Sequence, residues 1–186
     1  MARDFLPGET TKIPNFVLTD RLLGDFEPDD KRRDAWVGSI SYGGKNYSYP
    51  YKYQQNGSSS NTSDRIEYDV VLRLTEQYLI RAEARIHMGL LDDAKDDLNE
   101  IRKRAEVDPI QVSDAKTMLE QVAHERRIEL FCEWGHRWFD LKRTNKTTEV
   151  LGPVKPAWKT TSVLFPVPQQ AINTNKNLLP QNEGYN

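Results

Sequence analysis

Residues 71–105 read VLRLTEQYLIRAEARIHMGLLDDAKDDLNEIRKRA, and the spacing of their apolar members decides the fold. Val71, Leu74, Tyr78, Leu79, Ala82 and Ile86 recur three or four apart, which places them on one face of a helix running to Met88. Gly89 stops that helix at a C-cap position. A second stripe comes next in Leu91, Ala94, Leu98, Ile101 and Ala105, with Asp92 and Asp93 in the first turn, where the helix dipole favours anions. The short turn between them forces an antiparallel hairpin. Small Ala82 and Ala94 let the helices cross closely, as in a tetratricopeptide-type repeat. Such a unit needs neighbours to bury both its faces, and no second copy is legible in this sequence.

Working outward, Ser113 reads as the N-cap of a third helix that carries Met118, Leu119, Val122 and Ala123. It continues through Glu125-Arg126-Arg127 into Phe131. Beyond Trp138 regular signals fade until Ser162-Val163-Leu164-Phe165-Pro166-Val167-Pro168, an extended piece whose prolines confine it to a sheet edge. Upstream of the hairpin, Gly8, Pro14, Gly24, Pro28, Gly43, Gly44 and Pro50 break the chain into loops and short strands. There Tyr47, Tyr49, Tyr51 and Tyr53 alternate with other residues, so an extended backbone carries all four rings on one face, packed on the helices. The polar run 54–63 is expected to be a mobile loop. The fold class is therefore mainly α: a tetratricopeptide-like hairpin plus a further helix, with loop-rich N-terminal and C-terminal additions. The loop-rich segment covers 1–68 and the helical region 69–186.

Composition narrows the function. The chain has 186 residues, 37% hydrophobic and 29% charged, enough for one domain with a modest core. Lys plus Arg (26) nearly balances Asp plus Glu (28), so no basic field exists to hold a nucleic acid. Cys132 is the only cysteine and cannot pair within the chain; in the run Glu129-Leu130-Phe131-Cys132 it reads as a small buried hydrophobe. No cluster has metal-ligand spacing, and no cofactor is implied. No stretch approaches the roughly 20 apolar residues of a membrane span, and Met1-Ala2-Arg3-Asp4 opens no apolar export signal.

The residues with chemistry in them are charged or aromatic. Glu125, Arg126 and Glu129 lie on a half-apolar helix, where ionised groups must be paired if buried, and Arg73, Arg81 and Glu83 on the first helix are candidate partners. Glu125 and Glu129, one helical turn apart, are also the only obvious carboxylate pair for a glycosidase. That chemistry wants carboxylates converging from opposite sides of a sugar, whereas these two are interleaved with arginines and favour a structural ion network. His87, His124 and His136 have no nucleophilic partner in a recognisable motif. Trp138 and Phe139, between Arg137 and Asp140, suit an amphipathic plug that anchors the turn after the third helix to the repeat core.

Four segments, in order, resemble the C-terminal region of the SusD/RagB family. They are Asp29-Asp30-Lys31-Arg32; Leu72-Arg73-Leu74-Thr75-Glu76-Gln77-Tyr78-Leu79-Ile80-Arg81-Ala82-Glu83-Ala84; Glu125-Arg126-Arg127-Ile128-Glu129-Leu130-Phe131 running on through Gly135-His136-Arg137-Trp138-Phe139-Asp140-Leu141-Lys142-Arg143; and Leu164-Phe165-Pro166-Val167-Pro168 leading to Gln181-Asn182-Glu183-Gly184-Tyr185. Glu183 departs from the proline more usual there. The resemblance implies helical repeats with loop-rich additions, a lipid anchor at an N-terminal cysteine, and a place on the bacterial cell surface at the outer membrane. It further implies a non-catalytic protein that captures oligosaccharide or another nutrient for a TonB-dependent transporter of the SusC type. Family members are longer, so the chain reads as a C-terminal part whose anchor and earlier repeats lie upstream. No ligand contact carries over by motif. Trp36, Tyr42 and Tyr47 are the candidates for sugar stacking, because they lie in the loop-rich segment rather than on a helix stripe. The other reading is a tetratricopeptide-type adaptor holding a peptide.

Overall fold

A computed structural model describes residues 5–7, 13–54 and 67–185. It divides into two compact units, Met1–Trp134 and Gly135–Asn186. Most of the polar run 54–63 lies outside the described residues.

The first unit is organised by three helices, Leu74–His87 (α3), Leu91–Arg104 (α4) and Ala115–Glu129 (α5), preceded by Asp20–Leu23 (α1) and Lys31–Trp36 (α2). Helices α3 and α4 pack as the hairpin the periodicity predicts, and α5 packs against both. Leu79, Ala82 and Ile86 from α3 meet Ala94, Leu98 and Ile101 from α4, and α5 adds Met118 and Val122. Burying a side chain of this kind stabilises by roughly 1.5–3 kcal/mol. The turn is set by Gly89, whose φ of +78° lies in the left-handed region that closes a helix end without strain only for glycine. Helix α3 begins at Leu74, so Val71 falls outside it, and both residues are exposed.

Two boundaries differ from the sequence reading. Asp114, not Ser113, caps α5: its carboxylate accepts from the Thr117 N–H at 2.9 Å, leaving Ser113 one residue too early. The helix ends at Glu129 rather than running into Phe131. Past that end the chain makes a tight turn with Cys132 (φ +57°) and Trp134 (φ +42°) in left-handed conformations. The turn carries Cys132 outward, so the residue expected in the core is exposed. Its thiol is nonetheless pushed up to about 11 by desolvation, with Lys52 opposing and Glu133 reinforcing the shift.

Ahead of the helices, Val37–Tyr42 (β1) and Lys45–Pro50 (β2) form an antiparallel hairpin with Tyr42 opposite Lys45 and Gly38 opposite Tyr49. Gly43 and Gly44 both have positive φ (58° and 76°), the requirement of a two-residue turn whose twist matches the strands. The Tyr49 ring lies over Gly38, where any Cβ would collide with it. A second core, Leu18, Phe26, Ile128 and Phe131, ties this segment to the far end of α5. Thus α5 serves two cores, Met118 and Val122 facing one and Ile128 facing the other.

The second unit holds His136–Arg143 (α6), Thr147–Leu151 (α7), Gln169–Thr174 (α8) and two 3-10 turns, Thr160–Val163 and Lys176–Leu178. The expected edge strand at 162–168 is absent among the described residues: Thr160–Val163 is a 3-10 turn. The stretch leading into α8 is held by side chains instead, with Gln181 bonding both the N–H and the C=O of Val167. A strand there would need a partner edge, and the prolines remove the donors that a ladder uses.

Candidate functional site

Glu125 and Glu129 sit where the two cores of the first unit meet, and each side chain has 0% exposure. A carboxylate taken that far from water must be matched by cations and donors. Glu125 is bound by Arg32 Nη1 at 2.8 Å and Arg102 Nη1 at 2.6 Å. Glu129 is bound by Arg32 at 3.3 Å, Arg73 at 3.0 Å and Arg104 at 2.7 Å. The cations come from separate elements: Arg32 from α2, Arg73 just before α3, Arg102 and Arg104 from the end of α4.

Arg32 is the hub, with its side chain 3% exposed. Asp30 caps α2 through the Arg32 N–H at 2.9 Å and also grips the guanidinium, Nε to Oδ1 at 2.9 Å and Nη2 to Oδ2 at 2.7 Å. Desolvation alone would depress this arginine, but Asp30 and Glu125 more than offset it and hold the guanidinium above its ordinary range. Lys52, after β2, closes the other side. Its ammonium donates to the Glu129 carbonyl at 2.6 Å and to Glu133 Oε1 at 2.9 Å, between the rings of Trp36 (4.6 Å) and Phe131 (4.2 Å). Burial outweighs the carboxylates and brings Lys52 down to about 8.

The partners named from sequence are distributed differently. Arg73 reaches Glu129. Arg81 instead bonds Asp97 of α4 at 2.5 Å, and that aspartate also takes Arg85 at 2.6 Å. The reason is geometric: Arg81 lies two turns into α3, facing α4, whereas Arg73 precedes α3 and reaches the end of α5. Glu83 is half-buried on α3. Arg126, 6% exposed, faces Glu76 at 3.9 Å. Arg32, Lys52, Arg102 and Arg104 are not among the ion partners expected from sequence. For Arg102 a signal exists, because it falls on the face shared by Leu98, Ile101 and Ala105, a position too buried for an unpaired charge.

The aromatic candidates divide as well. Trp36 is half-buried, and cations occupy its surroundings: Lys52, Arg104 at 5.9 Å and Arg73 at 6.0 Å from the ring. Tyr42 is 46% exposed beside the hairpin turn, and Tyr47 is half-buried opposite Ile40. Tyr53, at the end of the tyrosine row, is buried with its hydroxyl accepting from the Val70 N–H at 3.2 Å. In the second unit Trp138 is half-buried against Trp158 and Phe165, with centroids 6.3 and 6.0 Å away. Phe139, expected to plug a core, is instead 61% exposed. Asp140 binds Arg143 one turn on at 2.9 Å.

Chemically, this arrangement closes the carboxylate pair that the sequence offered most readily for glycoside hydrolysis. Neither Glu125 nor Glu129 presents an oxygen to solvent, and guanidinium groups already occupy them. Among the described residues no group of three or more His, Cys, Asp or Glu side chains could hold a metal ion. Nor is any described helix long and apolar enough to cross a membrane.

Comparison with known proteins gives the family and the fold. The SusD family pattern matches residues 36–157. SusD-like protein P2 of Formosa agariphila is 32% identical over 156 residues, covering 76% of this chain and 30% of that protein. A SusD superfamily protein from Bacteroides vulgatus superposes with a TM-score of 0.76 at 20% identity, over 98% of this chain and 47% of that one. Surface glycan-binding protein A from Bacteroides uniformis gives a TM-score of 0.69 at 26% identity, over 88% of this chain and 40% of that one. The chain thus spans less than half the length of each.

Proposed function

This chain belongs to the SusD family, and from that premise we propose that it is part of a non-catalytic protein that captures oligosaccharide at the bacterial cell surface. The observation that carries the reading is the likeness, over 88% of the chain, to a protein described as surface glycan-binding. The closure of Glu125 and Glu129 on arginines supports capture without cleavage, since the best carboxylate pair is spent on holding α2, α4 and α5 together. In this reading the glycan passes intact to a TonB-dependent transporter of the SusC type at the outer membrane. The ion network and Trp138 are structural, while exposed Tyr42 and half-buried Tyr47 remain the stacking candidates, because sugar C–H faces lie well on aromatic rings. A calorimetric screen, against oligosaccharides, of the whole protein of which this chain is part tests this. Heat of binding from at least one glycan is expected; a whole protein that binds none of a broad panel overturns the proposal.

A further inference from the structure

A cleft of about 530 Å³ opens on the first unit between Glu27, the 108–112 loop and α5. Its size suits a small ligand, since such sites run to roughly 300–1,000 Å³. Ile110 and half-buried Val112 form an apolar wall, and Gln111, Gln121 and His124 join Glu27 around it.

The polar groups are preorganised by the ion network. Arg102 grips Glu27 with both terminal nitrogens, Nη1 to Oε1 at 2.7 Å and Nη2 to Oε2 at 2.8 Å, and fixes the loop through Nε to the Asp108 carbonyl at 2.6 Å. Arg102 itself is 4% exposed, and its Nη1 is shared with Glu125 at 2.6 Å. The two bonds from Arg102 hold the Glu27 carboxylate in one orientation, and at 35% exposure it keeps room to accept from a ligand. Hydrogen bonding from Arg102 keeps Glu27 below its ordinary value, an acceptor at neutral pH. His124 Nε2 stands 3.9 Å from Glu27 Oε1, too far for a direct bond and wide enough for one ligand oxygen to bridge both.

We propose that this cleft binds one neutral, hydroxyl-rich ring, a pyranose unit. The guanidinium of Arg102 is committed to Glu27, Glu125 and the loop carbonyl, so little is left to attract an anion. Glu27 carries its own counter-charge, which weakens the pull on a cation. Vicinal hydroxyls match what remains: a fixed carboxylate to receive two donors, carboxamides that both donate and accept, and an apolar wall for a C–H face. The proposal rests on the glycan-capture reading and names a second place of contact, away from the tyrosines of the β-hairpin.

The test is an NMR titration of the isotope-labelled chain with methyl glucosides, galactosides and mannosides. Shifts confined to Ile110, Gln111, Val112 and His124 are expected with at least one sugar. Gln111→Ala and Gln121→Ala should each weaken that response roughly fivefold, about what one lost hydrogen bond implies, with unchanged melting temperature. Shifts that map to the β-hairpin, or that survive both substitutions, overturn the cleft and leave capture standing. A chain that responds to no pyranoside also overturns the cleft, and capture is then decided separately by the calorimetric screen of the whole protein.

Discussion

Arg32 holds Asp30, Glu125 and Glu129 simultaneously while itself almost wholly buried. Arg32→Ala leaves those carboxylates buried with fewer cations, and the expected loss is about 3–5 kcal/mol in chemical denaturation. Lys95→Ala is the control: Lys95 pairs with Asp92, which is 95% exposed, and removal should leave the denaturation midpoint nearly unchanged. Equal midpoints for the two variants would show that the network adds nothing. Lys52 gives a pH signature of definite sign. In the unfolded chain it keeps its proton up to about 10.5, in the folded chain only to about 8, so between these values the unfolded state binds more protons. Lys52 therefore makes stability rise with pH across that window, by up to the order of 3 kcal/mol. Measured as the difference between wild type and Lys52→Met, the rise should be present; a flat difference from about pH 8 to 10.5 would mean the ammonium is not desolvated. The sequence predicted that Glu125 and Glu129 need cations because charge on an apolar stripe is readable in one dimension. It did not reveal Arg32 or Lys52 as suppliers, since they come from segments without periodicity that only the tertiary fold brings to α5.

Among the elements, the hairpin was legible from Leu79 to Ala105, including the glycine between the helices, because helix burial repeats every few residues, whereas Val71 and Leu74 at the head of the predicted stripe are exposed. The left-handed conformation of Gly89 has nothing within 4 Å of where a Cβ would stand. Gly89→Ala should thus cost about 1–2 kcal/mol through backbone strain alone. A thermal melt unchanged by that substitution would mean the turn can relax. Caps and helix ends leave a weaker mark in the sequence. Ser113 and Asp114 are both good N-cap residues, and which one caps depends on backbone angles that neighbouring side chains do not encode. Cys132 escaped because the chain reverses immediately after α5 with left-handed residues at Cys132 and Trp134, a turn that apolar composition conceals. The 162–168 segment has strand-like residues but no described partner edge, and composition alone cannot supply one.

For the molecule as a whole, the family was legible in long charged and aromatic runs, and the structure gives those runs a physical purpose in binding α2, α4 and α5 through one buried ion network. A ligand-binding surface has no comparable signature, since a sugar asks only for a few polar groups and an apolar face, assembled from distant loops. Capture without chemistry is tested most directly by mass spectrometry of oligosaccharide eluted after long incubation with the immobilised whole protein. Oligosaccharide retained at its starting mass is expected. Shortened products that disappear with Glu125→Gln would contradict it.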